Sequence, residues 1–466
     1  MSFTRRTFLA GAGTGLGMLV LTACTDEAPQ PQPTASPTPA NGVPAPERVI
    51  RSSWSTDQFS RGSHSFAAVG STPEHRETLA QPLLDRVFFA GEATSADAPG
   101  TLIGARASGS RVAAEVINTA QRTERIAVIG AGLAGAEAAR TLDTYGFDVV
   151  VVEARDRVGG RIHSARSSSW PIPVEFGALA LRTTADETLI TQLRDLGLTT
   201  SQDESSVFRA TDVDLTENAI APPAVDAAVT WASTGNTDVS LDDALLESGE
   251  GEKAESLSQD DVSGAALLEQ YLAGLATRTG ADDIELSSWY GVPPATDSDD
   301  IRVAMIGGVD ALVTDALDEI QTYLATTVLG INYDEDGVSL RLGTGESLSV
   351  DRVVVTVPLG VLKGNGIEFD PLLPFGHRTA ITALGFGTVD TVWLQFDEPF
   401  WDTDATSWKL VGTDATITEW INLEPSTGEA ILVGLVGGAA ALELAELDDT
   451  EFAQRALEDL APFVAA

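Results

Sequence analysis

Apolar positions change their spacing several times along the 466-residue chain, and each change marks a different kind of element. Residues 7–23 form a weakly apolar, glycine-rich run, and a later stretch, EAPQPQPTASPTPANGVPAP, has no apolar periodicity. Its prolines favour an extended spacer of about 3 Å per residue, so residues 24–46 read as a stalk and the folded body is expected to start near Glu47. Further on, an apolar strand at 126–129 is succeeded by a glycine turn, a helix of Ala and Leu, and a second apolar strand at 149–152. A helix is expected from about 100 to 118. SGAALLEQYLAGLATR (263–278) has the spacing of an amphipathic helix, and GTVDTVWLQF and ITEWINL read as sheet strands. With 43% hydrophobic residues the chain is long enough for two domains, each with its own core.

The turn IAVIGAGLAG carries the first chemistry. Gly130 permits a tight bend, Gly132 lets the backbone approach a pyrophosphate, and Gly135 lets helix and strand pack closely, while the helix N-terminus faces the phosphates. Glu153, at the end of the second strand, can accept hydrogen bonds from both ribose hydroxyls and disfavours a 2′-phosphate, which argues for FAD or NAD over NADP. A glycine turn in some other α/β unit would not explain Glu153.

The segment EARDRVGGR (153–161) separates FAD from NAD, because Gly159, Gly160 and Arg161 suit a second approach to the diphosphate. Here the chain resembles the flavin-dependent amine oxidase superfamily, which includes monoamine and polyamine oxidases and histone lysine demethylases. The resemblance continues through EFGA (175–178), IGG (306–308), DRVVVTVPLGVLKG (351–364) with IEFDP (367–371), and FDEPFW (396–401). It implies a two-domain α/β fold, with a Rossmann-type FAD domain and a mixed-sheet substrate domain. Such proteins finish with an aromatic flavin-facing segment, a strand ending in FAGE and a helix closing the FAD site; in this chain RVIRSSWSTDQFSRGSHSFAAVG and DRVFFAGEATSADAPGTLIGARASGSRVAAEVIN occupy residues 48–118 instead. The resemblance therefore implies a circular permutation. Six residues, TAQRTE, join the closing helix to the first strand and reach about 20 Å when extended. The FAD domain is expected from 47–122, 123–198 and 303–372, and the substrate domain from 199–302 and 373–466.

By resemblance, Gly130, Gly132, Gly135, Glu153, Arg155, Gly160 and Arg161 hold the ADP half of a non-covalent FAD, with the Val328 backbone near adenine and Gly91 and Glu92 near the ribityl-pyrophosphate. Thr101 and Leu102 would approach the pyrimidine edge of the flavin, where helix N-terminal amides stabilise developing charge. Trp54 and Phe59 lie where the family places aromatic residues beside the isoalloxazine; core packing is the other reading of each. The implied chemistry is hydride transfer from the α-carbon of an amine to flavin N5, imine hydrolysis, and peroxide from oxygen. Three departures stand out. The family's lysine before FxxPFW is Thr391, which can hold a water but brings no charge. The family's GSYS-like tyrosine is His64, a polar pocket wall or a structural histidine. The cysteine that binds FAD covalently in monoamine oxidases is Ser63. Lacking a paired aromatic cage, the pocket looks closer to the polyamine-type branch.

Charge and the leading residues narrow the partners. With 28 basic against 69 acidic residues the formal charge is −41, which argues against nucleic acid. Residues 201–300 hold 22 Asp and Glu against Arg209, Lys253 and Arg278, an imbalance that serves either solubility or attraction of cationic substrates. The histidines His64, His75, His163 and His377 show no ligand spacing, so no metal is expected. Arg5-Arg6 ahead of the apolar run reads as a twin-arginine export signal over residues 1–23, a hydrophobic helix or membrane span being the alternative, and LTAC resembles a lipobox that would acylate Cys24, the only cysteine. The expected protein is an exported, lipid-anchored amine oxidase on the outer face of the cell membrane. The rivals are a flavin dehydrogenase or desaturase that uses oxygen poorly, and a surface flavoprotein without turnover.

Overall fold

The computed structural model describes residues 39–465 apart from 184, 202–204, 211–212, 294–301 and 413. The expected export signal, Cys24 and most of the proline-rich stretch lie outside the described residues.

A five-stranded parallel sheet forms around the glycine turn. In spatial order its strands are β7 (Gln321–Tyr323), β4 (Asp148–Val152), β3 (Arg125–Ile129), β8 (Arg352–Val355) and β2 (Val87–Phe89). Residues along β3 alternate between two cores. Ile126 and Val128 face helices α1 (Leu102–Thr119) and α2 (Leu133–Thr144), while Ala127 and Ile129 face the layer containing Val328, Ile331 and Leu340. Covered on both faces, the strands read as unbroken apolar runs. Gly109 lets α1 lie against α2, since a Cβ there would stand 2.4 Å from the Ala134 carbonyl oxygen.

A seven-stranded sheet forms the second layer, in the order β1 (Arg48–Arg51), β9 (Val389–Gln395), β12 (Ile431–Gly437), β11 (Glu419–Asn422), β10 (Ser407–Leu410), β5 (Ser206–Ala210) and β6 (Val213–Leu215). Its pairs are antiparallel except β5 with β10. Trp393, Trp408 and Trp420 are fully buried in it. Helices α3 (Ala221–Ser233), α4 (Leu241–Ser248), α5 (Glu250–Glu255) and α6 (Gly264–Thr279) pack into a separate apolar cluster through Val225, Leu241, Ala254 and Leu275.

The strands and helices expected from the spacing are present within one or two residues at each end. Two differences are physical. GTVDTVWLQF is split, because Thr388 donates its N–H to Gly280 rather than continuing the ladder, so Gly385–Gly387 pairs separately with His64–Phe66. The folded body also begins before Glu47: Ala40 and Val43 are buried in the cluster that holds Trp408 and Phe463.

Candidate active site

The glycine loop between β3 and α2 is held in the shape a diphosphate needs. Gly130 has φ +103°, and a Cβ on it would lie 2.7 Å from Thr356 Oγ1. One on Gly135 would lie 2.0 Å from the Gly130 carbonyl oxygen. Gly132 caps α2 without a side-chain acceptor, leaving the first amides of the helix available to an anion. Gly132 bridges to Gly159, and Gly160, at φ +60°, brings the second glycine turn against it. Glu153 stands at the end of β4 with its carboxylate bracing both turns: Oε2 accepts the Ala131 N–H at 2.7 Å and Oε1 the Arg155 N–H at 2.8 Å. Each oxygen keeps a second lone pair for a ribose hydroxyl.

A cavity of about 1050 Å³ opens from this loop. It is lined by every residue expected to hold the cofactor, Gly135 excepted, and by Trp54, Phe59, Ser63, His64 and Thr391. Gly135 acts one layer back, through helix packing. Val328 opens a strand at the cavity wall. Thr101 is the N-cap of α1: its hydroxyl accepts the Gly104 N–H at 3.0 Å and donates to the Ala98 carbonyl at 2.8 Å, which places Leu102 first in the helix.

Arg155 and Arg161 are also held by protein groups. The Arg155 fork pairs bidentately with Asp57, at 2.6 and 2.8 Å, and donates to Ser60 Oγ. Arg161 donates to Glu92 and to the Ser63 carbonyl, both at 2.8 Å. Both guanidiniums line the cavity and tie residues 57–92 to the loop after β4. Burial alone would raise the Glu92 pKa; the charge and hydrogen bond of Arg161, the Ser65 hydroxyl and Arg76 outweigh it and hold the group at about 2. Asp57, Ser65 and Arg76 were not legible as site residues, because their partners lie elsewhere in the chain. Only the acid in WSTDQF and the lone arginine in PEHRETLA hinted at them.

The aromatic and polar walls are fixed by neighbouring backbone. Trp54 is buried and donates its indole N–H to the Phe176 carbonyl at 2.8 Å. Its own N–H and the Ser52 hydroxyl both donate to Asp390, and Ser52 Oγ accepts the Thr391 N–H. Thr391 Oγ1 is buried without a protein partner and lies in the cavity wall, a site for a bound water or ligand atom. The Ser63 hydroxyl bonds to the main chain of Val389 in both directions. Phe59 lies under Arg155, 5.5 Å from its guanidinium carbon.

A model of the family described as flavin containing amine oxidoreductase matches residues 34–117 and 131–466. The chain belongs to the flavin-containing amine oxidase family. A model of the pyridine nucleotide-disulphide oxidoreductases matches residues 85–170, the span that includes the glycine loop. Among relatives, probable polyamine oxidase 4 of Arabidopsis thaliana is 30% identical over 347 residues, 70% of this chain and 68% of the relative. Polyamine oxidase 4 of rice is 29% identical over 351 residues, 70% of each. A solved structure of putrescine oxidase with putrescine bound shares the fold at a TM-score of 0.56 and 22% identity, covering 73% of this chain and 82% of that one. The chain is thus an enzyme of the amine oxidase family, with the α/β fold of that family and a flavin cofactor. The cavity fits FAD on its own geometry: a Cβ-free cradle, uncapped amides, and an acid at the ribose position.

Proposed function

We propose that this chain binds FAD without a covalent link and oxidises a primary or secondary amine to an imine, which water then hydrolyses. The observation that carries the reading is the single cavity shared by the glycine loop, Trp54, Thr101 and Thr391. FAD, when bound, supplies the acceptor for two electrons. The protein's part is to bind and orient. Gly130 and Gly132 would admit the diphosphate, and the amides opening α1 would stabilise negative charge on the flavin. Trp54, held by Asp390 and Phe176, gives the amine a rigid apolar wall. Thr391 Oγ1, buried without a protein partner, would hold a water beside the reacting centre.

The chain order supports a circular permutation. Strand β2, from the leading segment, is the edge of the parallel sheet beside β8. At the other junction Ala40 and Val43 share a cluster with Phe463, and a Cβ on Gly42 would stand 3.3 Å from Val464 Cγ1, so a chain running from residue 465 back towards residue 48 would need only a short path. Export by the twin-arginine route and lipid attachment at Cys24 belong to the same proposal and rest on the sequence of residues 5–24 alone.

Thr391 favours a second reading, a flavin dehydrogenase that reacts slowly with oxygen, since a threonine adds no cation where the family has lysine. Mixing the purified protein with an amine panel under argon, then admitting air, separates the two. Loss of the 450 nm band followed by peroxide supports the oxidase. Loss without peroxide supports the dehydrogenase, in which case Thr391→Lys is expected to speed recovery of the band by about tenfold or more, the scale of one added charge contact to a transition state. No bleaching with any amine would contradict both.

A further inference from the structure

Beyond Thr391 the cavity wall runs across the seven-stranded sheet in register. Thr391 pairs with Leu435, Leu435 with Glu419, Glu419 with Lys409 and Lys409 with Phe208, and all five line the cavity. At about 4.8 Å per strand the row is about 19 Å long. Helix α6 contributes an adjoining wall through Tyr271, Gly274, Thr277 and Arg278, which share one helical face. Helix and sheet meet at Glu419: the Thr277 hydroxyl donates to Oε2 at 2.6 Å, and a Cβ on Gly274 would stand 2.7 Å from Oε1.

The charges along this row are unexpected in so acidic a chain. Of only three lysines in the sequence, one, Lys409, lines the cavity. Its Nζ lies 4.6 Å from the Phe208 ring centroid, and the Arg278 guanidinium carbon lies 5.5 Å from that of Tyr271, with Nε donating to the Gly274 carbonyl. Among the described residues neither cation has a carboxylate within the 4.0 Å of an ion pair. Glu419 stands between them in sequence register and helix contact, so the three groups together carry one net positive charge. The Tyr271 hydroxyl is buried without a partner in the same wall. Glu217, also in the lining, is exposed; Asp186 accepts the backbone N–H of Arg182 through Oδ2, which also lies 3.8 Å from the Arg182 guanidinium, while Oδ1 is buried without a partner. A second ammonium at this end would meet two like charges and one carboxylate already bonded to Thr277. A carboxylate would meet two cations and a free hydroxyl.

We infer that the substrate is an amine bearing a carboxylate at its far end, received by Lys409, Arg278 and Tyr271, rather than a diamine. The inference rests on the amine-oxidation reading above and narrows its substrate class.

Anaerobic reduction is measured with length-matched series: 6-aminohexanoate and 8-aminooctanoate, hexylamine and octylamine, 1,6-diaminohexane and 1,8-diaminooctane. The amino acids are expected to reduce the flavin at the lowest concentrations and the diamines at the highest. Lys409→Met and Arg278→Met are each expected to lower the preference of amino acid over alkylamine about tenfold, the change that accompanies loss of one charge-assisted hydrogen bond. Lys409→Arg, which keeps the charge, is expected to retain it. Preference for the diamines, or a ratio unmoved in both methionine variants with normal flavin content and circular dichroism, overturns the inference. If no amine reduces the flavin, the amine reading fails separately. Hexanoate perturbing the oxidised flavin spectrum in the wild type but not in Lys409→Met would then sustain the anion site, and no perturbation would end it.

Discussion

Glu92 stays ionised under an almost complete cover of protein because Arg161, the Ser65 hydroxyl and the Gly100 N–H converge on it. Glu175 has the opposite fate. Burial raises its pKa to about 7, only partly offset by the Ser164 hydroxyl and the Val309 N–H. Its folded form therefore keeps a proton that the unfolded chain releases near the ordinary value of 4.5. Stability tied to this group is present below pH 4.5 and is lost as pH rises to about 7, a fall of up to about 3 kcal/mol. Urea midpoints measured at pH 5 and pH 8 should show that slope in the wild type, and Glu175→Gln should flatten it. An unchanged slope in the variant would place the titrating group elsewhere.

At the scale of elements, the site depends on close approaches that only glycine permits. A Cβ on Gly177 would lie 1.8 Å from the Arg161 carbonyl oxygen and 3.2 Å from Trp54 Cζ2. Gly177→Ala is expected to displace the Arg161 main chain and shift the Trp54 ring slightly, cost about 1–3 kcal/mol by overpacking, and weaken flavin binding. Tryptophan fluorescence and flavin titration check both effects. Such local constraints made the dinucleotide half readable from sequence: Gly130, Gly132, Gly135 and Glu153 fall within one strand–turn–helix–strand unit. Asp390 was not readable, because its role is to hold Ser52 and Trp54, more than 330 residues away in the chain. The Arg155–Asp57 fork, 98 residues apart, escaped for the same reason. The early start of the body was missed because two apolar residues in a proline-rich stretch carry no periodicity, although Ala40 and Val43 find a core.

For the molecule as a whole, the joint between α1 and β3 is held by Arg352. Its guanidinium is buried, pairs with Glu124, and donates to the carbonyl oxygens of Asp85 and Thr119. Arg352→Met would leave Glu124 without its ion-pair partner and the two carbonyl oxygens without this donor, and is expected to cost about 3 kcal/mol in thermal or urea unfolding. In the proposed arrangement residues 48–118 and the glycine loop enclose one flavin between them. Flavin released by acid precipitation, counted per chain, tests it most directly in three proteins: wild type, Gly135→Val in the first turn of α2, where a side chain would press on the Gly130 carbonyl, and Glu92→Gln in the leading segment. About one flavin per wild-type chain, with a marked loss in each folded variant, is the predicted result. Full flavin content in Glu92→Gln beside an empty Gly135→Val would show that the leading segment stands outside the site.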